Sequence, residues 1–335
     1  MQILVAGGAG YIGSHVAWQL VQRGHEVIVY DDLSTGHRFL VDGLPCVVAN
    51  IADPEKLAGA LRGVSAVMHF ADRSQATESV EDPKKYFENN LQGGLQLLHA
   101  VLQQGTPYFV YSSSCAVYGL PREVPIVEEA PRIPITPYGA SKLAFEHFLE
   151  AYSKAYGLRF VSLRYFNAAG ADEGGTIGEL HQPETHLIPR ALEVAAGLRK
   201  ELEIYGTDYP TADGTGVRDY VHVCDLAEGH LRALEYLVGG GQPTAFNLGT
   251  GTGSSILTVL ATVEEVTGHP IRKRFCPRRP GDPPVLVADA QRARDTLCWK
   301  PSRSLREMVA SAWNWMGSIP QAAAPEQWKR ENRPA

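Results

Sequence analysis

The 335-residue chain lacks long apolar runs, paired cysteines and an excess of basic side chains. Its apolar runs fall short of the roughly 18 residues of a membrane helix, so we expect no transmembrane segment. Its five cysteines are odd in number and contain no CxxC pair, which disfavours a disulfide framework or a zinc site and favours a reducing compartment. The net charge of −6 argues against general binding to nucleic acid or to a membrane surface.

The beginning of the chain leaves no room for a targeting segment, because the first strand pattern is under way at Ile3. We therefore predict a cytoplasmic protein, and one without a metal centre. Apolar residues make up 44% of the chain and charged residues 20%, as in ordinary globular proteins. The length suits roughly two domains.

Short apolar runs alternate with helical patterns, which is typical of βαβ units and of a parallel sheet covered on both faces. The predicted fold is α/β, with a Rossmann-type doubly wound parallel sheet and a smaller α/β substrate-binding domain. Strands are predicted at 2–6, 26–30, 45–49, 65–70, 108–112 and 159–164, and helices from 12 and at 54–61, 86–104, 138–156, 187–197, 224–238, 256–268 and 304–315.

Gly7, Gly10 and Gly13 follow the first predicted strand and open the first helix. Glycines there permit a tight turn and a close approach to a pyrophosphate, which the free N–H groups and the positive end of the helix attract. Asp31, at the end of the second strand, can accept hydrogen bonds from adenosine ribose hydroxyls and would repel the 2′-phosphate of NADP. Either feature alone is also typical of a tight turn or a solvated acid, but together they predict an NAD site.

Tyr138 and Lys142 lie four residues apart at the start of a predicted helix, so they share one face. A free tyrosine has a pKa of about 10, but a nearby ammonium and a positively charged nicotinamide would both favour the phenolate. The preceding strand ends in Ser112, Ser113 and Ser114. Ser114 is placed to hydrogen-bond the reacting hydroxyl, and we predict that Tyr138, Lys142 and Ser114 are catalytic.

These motifs resemble the extended short-chain dehydrogenase/reductase superfamily. Within it, three stretches are similar to the UDP-glucose 4-epimerase family: RYFNAAGA at 164–171, YGTDYPTADGTGVRDY at 205–220 and RRPGD at 278–282. The resemblance runs from Met1 to about Trp315. It implies NAD as the cofactor and a UDP-sugar as the substrate.

The resemblance also implies which residues hold each ligand. Around NAD it implies Tyr138 and Lys142 together with Gly7, Gly10, Tyr11, Ile12, Gly13, Asp31, Asp32, Leu33, Ser34, Thr35, Gly36, Asn50, Ile51, Phe70, Ala71, Ser74, Asn89 and Phe166. Around the UDP-sugar it implies Ser114, Asn167, His186, Leu187, Tyr205, Arg218, Arg279, Asp282 and Leu286. Asn167, Arg218 and Arg279 would hold the diphosphate, to which a guanidinium fork is suited. Tyr205 would lie along the uracil, and Asp282 would accept from the uridine ribose.

Glycine and proline are frequent through 170–183 and 206–216, as expected of loops that shape a pocket. Together with the resemblance, this distribution of glycine and proline predicts an NAD-binding domain of residues 1–168 with 219–250. Residues 169–218 with 251–319 are predicted to form the UDP-sugar-binding domain. Residues 320–335 are predicted to be a disordered tail.

Several positions depart from the family pattern. Asn50 replaces Asp, although its carbonyl can still accept from the adenine amino group. Asp72 replaces a small residue, and Ser74 stands where some members have Lys. These two changes predict a weaker hold on the cofactor unless Arg73 turns inward. His186 stands where some members have Asn, and either a helix cap or a ligand is consistent with that place.

The resemblance implies interconversion of UDP-glucose and UDP-galactose by transient oxidation at C4, rotation of the 4-keto sugar and hydride return. Epimerisation of a UDP-N-acetylhexosamine or a UDP-pentose is an alternative. A 4,6-dehydratase is a further alternative, but its family has an Asp-Glu pair where this chain has Cys115 and Ala116, and we expect Cys115 to be a buried thiol. A non-catalytic NAD sensor would typically lack the Tyr or the Lys.

Two further expectations follow from the resemblance. The family pairs through the helices predicted at 86–104 and 138–156, which implies a homodimer. Leu286 matches a position that bounds the space for the C2 substituent of the sugar. Its intermediate size predicts that plain hexoses are the main substrates and that 2-acetamido sugars are turned over weakly.

Overall fold

Strands and helices alternate along the computed structural model, which describes residues 1–279 and 281–320. The strands are β1 Gln2–Ala6, β2 Glu26–Asp31, β3 Cys46–Val48, β4 Ala66–His69, β5 Tyr108–Ser114, β6 Arg159–Tyr165, β7 Asn167–Ala169, β8 Leu202–Tyr205, β9 Val217–His222, β10 Thr244–Leu248, β11 Gly253–Ser255, β12 Lys273–Cys276 and β13 Val285–Leu286. The α-helices are α1 Tyr11–Gln22, α2 Pro54–Ala60, α3 Ala76–Glu81, α4 Pro83–Tyr86, α5 Gly94–Gln103, α6 Pro137–Tyr156, α7 Leu187–Ala195, α8 Val223–Val238, α9 Ile256–Thr267, α10 Gln291–Leu297 and α11 Leu305–Ser318.

The larger sheet has seven strands in the order β10-β6-β5-β4-β1-β2-β3. All of its pairings are parallel, which confirms the predicted fold class. The strand order reverses between β1 and β4, where Ala6 and His69 pair at the carboxyl ends of the two strands. Ligands of open α/β sheets bind at this kind of switch point.

Both faces of the larger sheet are buried, because alternate side chains of each strand point to opposite sides. On β1, Ile3 and Val5 pack with α1 and α8, whereas Leu4 and Ala6 pack with α2, α5 and α6. All four side chains are fully buried. The near-continuous apolar strands read from the sequence are therefore the central layer of a three-layer sandwich.

A smaller sheet is built around β9, which pairs with β7 and β13 in parallel and with β11 antiparallel. A separate two-stranded sheet pairs β8 with β12 in parallel. The core beside these strands comes from α7, α9 and α11. Only Phe166 separates β6 of the larger sheet from β7 of the smaller one.

The structure differs from the sequence prediction in its short elements. Helices α3, α4 and α10, strand β10 of the larger sheet and the strands of the smaller sheets were not predicted, because stretches of two to seven residues show little periodicity. The helix predicted at 86–104 begins as a π-helical stretch, Phe87–Gly93, and is α-helical only from Gly94. The predicted tail lies outside the described residues except for Pro320.

Two predicted features of the whole chain can be compared directly. All five cysteines are free, and Cys115 is buried as expected. Among the described residues, no helix is both long enough and apolar enough to cross a membrane.

Candidate active site

The turn between β1 and α1 is so tight that only glycine fits at two of its positions. A Cβ at Gly7 would lie 2.5 Å from the backbone N of Ala71, and a Cβ at Gly13 would lie 2.2 Å from the carbonyl O of Gly7. Gly7 also has a φ of +76°, which disfavours side chains. Gly10 stands before α1 and has no side chain to cap it, so the first N–H groups of the helix remain available to an anion.

Asp31 ends β2 beside this turn. Its Oδ2 accepts a 2.9 Å hydrogen bond from the backbone N of Ala9, and its Oδ1 accepts a 2.8 Å bond from that of Leu33. Burial raises the pKa of Asp31 although these hydrogen bonds oppose the shift. The backbone on both sides thus fixes one carboxylate at the place where a ribose would lie.

A cleft at the switch point brings together ten of the twenty residues expected around the cofactor. The lining residues are Gly7, Gly10, Asp31, Asp32, Ser34, Thr35, Ala49, Ile51, Phe70, Ala71, Asp72, Arg73 and Asn89. The glycine cradle, the N-terminus of α1 and the carboxylate at the end of β2 have the donor and acceptor types that a dinucleotide requires. These residues fit NAD.

Other expected cofactor residues lie around this cleft without being part of its lining. Asn50 donates a 2.8 Å bond to Asp32, and its own carbonyl accepts from the backbone N of Ala52 at 2.8 Å. Tyr11 turns its hydroxyl to the carbonyl O of Gly170 at 2.5 Å. Ile12 and Gly13 lie in the first turn of α1, Leu33 and Gly36 in the loop after β2, Ser74 in an exposed position before α3, and Phe166 in a buried one after β6.

Asn90 is a buried residue that the sequence did not single out. Its side chain accepts a 2.8 Å bond from the backbone N of Arg73 and donates a 3.0 Å bond to the Oγ of Ser141 on α6. The neighbouring Asn89 donates to the carbonyl O of Ala71 at 2.9 Å. The two asparagines therefore tie the cleft segment after β4 to the helix that bears Tyr138.

Helix α6 begins where its sequence provides a cap and a close approach. The Oγ1 of Thr136 accepts from the backbone N of Gly139 at 3.1 Å, and Pro137 occupies the first helical position. A Cβ at Gly139 would lie 2.5 Å from the carbonyl O of Ala116, so glycine lets the helix pack against the turn after β5. Tyr138 is thereby held next to Ser114.

Tyr138, Ser114 and Lys142 are brought together as expected. Burial raises the pKa of Tyr138 well above its ordinary value, the hydrogen bond from Ser114 opposes this shift, and the charge of Asp72 adds to it. The Lys142 ammonium lies 5.7 Å from the centre of the Tyr138 ring. It donates to the carbonyl O of Ser112 at 2.6 Å.

Asp72 changes the electrostatics of this group in a way that the sequence did not reveal. Its side chain is only 2% exposed, and its Oδ2 accepts from Lys142 Nζ at 2.7 Å and from the Tyr111 hydroxyl at 2.9 Å. His69 lies 3.4 Å from its other oxygen. Although burial opposes it, Lys142 and His69 hold the pKa of Asp72 well below its usual range. A buried carboxylate thus offsets the lysine charge expected to favour the Tyr138 phenolate.

The departure at Asp72 therefore does not place a free negative charge in the cofactor cleft, since Lys142 pairs with it. Arg73 lines the same cleft, and its charge helps to lower the pKa of Asp32, although burial of Asp32 acts in the opposite direction. The sequence predicts a weaker hold on the cofactor unless Arg73 turns inward, and Arg73 does line the cleft. The strength of the hold itself stays a prediction.

Apart from Ser114, which ends β5 of the larger sheet, the residues expected around the substrate come from the smaller sheets, their loops and the start of α7. Arg218 on β9 pairs with Asp282 at 2.5 Å, and Leu286 on β13 lies opposite Arg218 in the strand register. The Arg279 guanidinium lies 4.0 Å above the ring of Tyr205. Leu286 is half-buried against an apolar cluster that includes Phe166 and Cys115, and Cys115 follows Ser114 in the chain.

Asn167, His186 and Leu187 complete the expected substrate set. Asn167 begins β7 and pairs in register with Tyr220 of β9, two residues after Arg218. His186 precedes α7, and Leu187 is the first residue of that helix. The His186 side chain does not cap α7, and its Nδ1 instead lies 2.7 Å from Glu179.

A Rossmann sheet with a dinucleotide cleft and a Tyr–Lys–Ser group beside it defines a class of nucleotide-dependent enzymes, and sequence comparison makes the assignment specific. The profile of the NAD dependent epimerase/dehydratase family matches residues 3–249. This chain belongs to that family.

Individual relatives cover nearly the whole chain. A UDP-glucose 4-epimerase of Streptococcus mutans is 48% identical over 327 residues, which is 96% of this chain and 98% of the relative. The crystal structure of a UDP-glucose 4-epimerase from Brucella ovis in complex with NAD has a TM-score of 0.92 and 46% identity, and it covers 94% of this chain and 98% of its own. The crystal structure of a UDP-glucose 4-epimerase from Bifidobacterium longum in complex with NAD⁺ and UDP has a TM-score of 0.90 and 37% identity. It covers 96% of this chain and 99% of its own.

Proposed function

We propose that this protein is an NAD-dependent isomerase that interconverts UDP-glucose and UDP-galactose. The proposal rests above all on the position of Tyr138, which lies with Ser114 and Lys142 beside the dinucleotide cleft. Ser114 leads directly into Cys115, which belongs to the apolar cluster that Leu286 packs against, and Leu286 lies opposite Arg218. This arrangement supports a base that works between a site for NAD and a site for a UDP-sugar.

Tyr138 and Ser114 act on the 4-hydroxyl of the sugar. NAD, when bound, accepts the hydride from C4 and gives it back. Tyr138 removes the hydroxyl proton as the 4-keto sugar forms and returns it after the sugar has turned about its diphosphate link, while Ser114 hydrogen-bonds the same oxygen. Lys142 holds a positive charge near the Tyr138 ring, and Asp72, which pairs with Lys142, offsets the effect of that charge on the phenolate.

Arg218 and Arg279 hold the UDP part, so the sugar itself can remain loosely held and free to turn. We expect Arg218→Ala to raise the Kd for UDP roughly 10- to 100-fold, because a charge-assisted hydrogen bond contributes about 1.5–3 kcal/mol. The loss of Arg218 also leaves Asp282 without its partner near the anion. Isothermal titration with UDP measures the effect.

Arg278→Ala is the matched control for Arg218, because Arg278 pairs with Asp208 on the exposed surface. Its affinity for UDP should stay within about twofold of wild type, since exposed ion pairs contribute little. Equal UDP affinity in wild type and Arg218→Ala would remove Arg218 from the diphosphate site.

We expect Asp72→Asn to move the acidic limb of the pH profile of kcat to lower pH. The substitution keeps an acceptor for Lys142 but removes a negative charge that raises the pKa of Tyr138. The phenolate base then forms at lower pH. Asp42→Asn, which alters an exposed carboxylate, should leave the profile in place. An acidic limb that stays fixed, or moves to higher pH, in Asp72→Asn contradicts this role.

We propose that Leu286 limits the size of the C2 substituent. Leu286→Tyr should abolish turnover of UDP-N-acetyl sugars, and Leu286→Ala should raise it, with little change for UDP-galactose. A steric gate of one or two methylenes corresponds to changes of ~10–200-fold in kcat/KM. The ratio of kcat/KM for the two substrate pairs measures the gate, and a ratio that is the same in all three proteins excludes it.

The function is tested by incubating the purified protein with UDP-galactose and no added cofactor, and then resolving the products. UDP-glucose should form because hydride is returned in every cycle, and denatured protein should release NAD(H). Protein stripped of its nucleotide should regain activity with NAD but not with NADP, given the carboxylate of Asp31. A requirement for stoichiometric external NAD would contradict the self-contained cycle.

A dehydratase would need an acid and a base where this chain has Cys115 and Ala116. Burial raises the pKa of the Cys115 thiol to about 12, so this group stays neutral and is a poor base near pH 7. Ala116 has no titratable group. The geometry therefore favours the isomerase.

We further propose that two copies pair through α5 and α6 with the short helices before them, as the family resemblance implies. Val80 on α3 and Phe87 in the π-helical stretch are exposed apolar side chains there, and Tyr156 is exposed at the end of α6. Light scattering should give twice the monomer mass of 36.5 kDa. We place the protein in the cytoplasm, where the five free thiols would stay reduced.

A further inference from the structure

Four metal-ligating side chains converge in the segment that leads into α7. The Nδ1 of His181 lies 3.2 Å from Glu179 and 3.5 Å from Glu184, and the Nδ1 of His186 lies 2.7 Å from Glu179 and 3.1 Å from Glu184. One ligand atom from each residue lies within 4.8 Å of all the others. Two imidazoles and two carboxylates therefore face one point.

The cluster is partly buried and already ordered by its own backbone. The side chains of Glu179 and Glu184 are 8% and 7% exposed, whereas those of His181 and His186 are 21% and 40% exposed. An oxygen of Glu184 accepts from the backbone N atoms of Thr185 and His186, each at 2.7 Å. The Nδ1 of His181 is buried but has no hydrogen-bond partner among residues 1–279 and 281–320. A ring nitrogen thus faces two carboxylates at ion-pair distance without a hydrogen bond to either.

We propose that Glu179, His181, Glu184 and His186 bind one Zn²⁺ ion. Zinc takes imidazole nitrogen and carboxylate oxygen at about 2.0–2.2 Å, and a tetrahedron of that size has edges of roughly 3.3–3.6 Å. The nitrogen–oxygen separations of His181, at 3.2 and 3.5 Å, lie close to these edges, whereas those of His186, at 2.7 and 3.1 Å, are shorter, so His186 has to move outward to admit the ion. Four protein ligands close the coordination shell, which is typical of a structural rather than a catalytic ion.

The position of the ion suggests what it does. The ring of His181 lies 6.5 Å from that of Tyr11, which follows the glycine turn, and His186 immediately precedes α7. The Tyr11 hydroxyl donates a hydrogen bond to the carbonyl O of Gly170, at the start of the segment that leads to the cluster. The ion would fasten this long segment, which has no helix or strand between Ala169 and Leu187, to the cofactor turn. The sequence predicted no metal centre because the chain contains no CxxC pair, and a site of histidine and glutamate differs from that prediction.

The test uses full-length protein without a polyhistidine tag. We expect elemental analysis to find one zinc per chain after purification in zinc-containing medium. Chelator-treated protein should bind Zn²⁺ saturably in a calorimetric titration, and its melting temperature should rise on binding. Co²⁺ at the same site should give the strong visible absorption of a tetrahedral ion. Chelator-treated wild type without a saturable site for Zn²⁺ overturns the proposal.

Two variants and one control connect that binding to the cluster. His181→Ala and the nearly isosteric Glu184→Gln should each weaken Zn²⁺ binding at least tenfold, whereas His147→Ala, which removes an exposed histidine elsewhere, should not. Unchanged affinity in either cluster variant overturns the assignment. If His181→Ala does not fold, as judged by circular dichroism, Glu184→Gln and the wild-type titration decide. No epimerase assay enters this test, so its outcome is independent of the proposed reaction.

Discussion

Replacing Tyr138 with phenylalanine should lower kcat at least about 100-fold and leave the affinity for UDP nearly unchanged. A positioned proton-transfer group contributes roughly 10²–10⁴-fold to the rate, and the substitution removes only that group. The phenyl ring still packs edge-on against Tyr86, whose ring lies 6.4 Å away, so the fold around the site is kept. Steady-state kinetics and a UDP titration separate the effect on kcat from that on binding.

Tyr156→Phe is the matched control, since Tyr156 ends the same helix but is 66% exposed. It loses the same hydroxyl and should retain wild-type kcat. A Tyr138→Phe protein that keeps more than about a tenth of wild-type kcat would exclude Tyr138 as the base. A loss of UDP affinity that parallels the loss of kcat would instead point to misfolding of the site.

Glu146→Ala should lower the free energy of unfolding by about 3–5 kcal/mol, because it leaves an unpaired charge in the interior. Glu146 is 2% exposed and Arg164 is 5% exposed, and the two form a bidentate pair at 2.7 and 2.9 Å. Glu146 also accepts a 2.6 Å bond from Ser113, next to Ser114. Although burial opposes it, Arg164 lowers the pKa of Glu146, so the pair is ionised at neutral pH.

Denaturant unfolding followed by circular dichroism measures this loss. Glu150→Ala is the comparison on the same helix, since Glu150 is 42% exposed and forms an ion pair with Arg132 at 3.3 Å. Exposed pairs of this kind contribute at most about 1 kcal/mol. Similar destabilisation by the two substitutions would mean that the buried pair has no special role in the fold.

The sequence predicted six of the seven strands of the larger sheet, because these strands are buried on both faces and read as apolar runs, but it missed the edge strand β10. It also predicted the glycine turn, Asp31 and the Tyr138–Lys142 pair, because each depends on spacing along the chain. The strands of the smaller sheets have two to six residues, and their pairings join distant segments. No local pattern indicates such pairings, and the roles of the individual site residues remain predictions.

Two features of the site depend on contacts that spacing does not reveal. Asp72 contacts Lys142 across seventy residues, and the sequence predicted only an extra carboxylate near the cofactor. The histidine–glutamate cluster does have a signal in the sequence, the pattern E-x-H-x-x-E-x-H at 179–186. The prediction of no metal centre rests on the absence of paired cysteines, which does not bear on this pattern.

The single residue between β6 and β7 has a consequence for ligand design. Phe166 alone joins the two strands and is buried. The sheet that ends beside Tyr138 and the sheet that contains Arg218 are therefore connected by a linker of one residue. The dinucleotide and the uridine diphosphate would then be held at a nearly constant separation. A bivalent inhibitor with a stiff linker cut to that separation should gain more from effective concentration than one with a flexible linker.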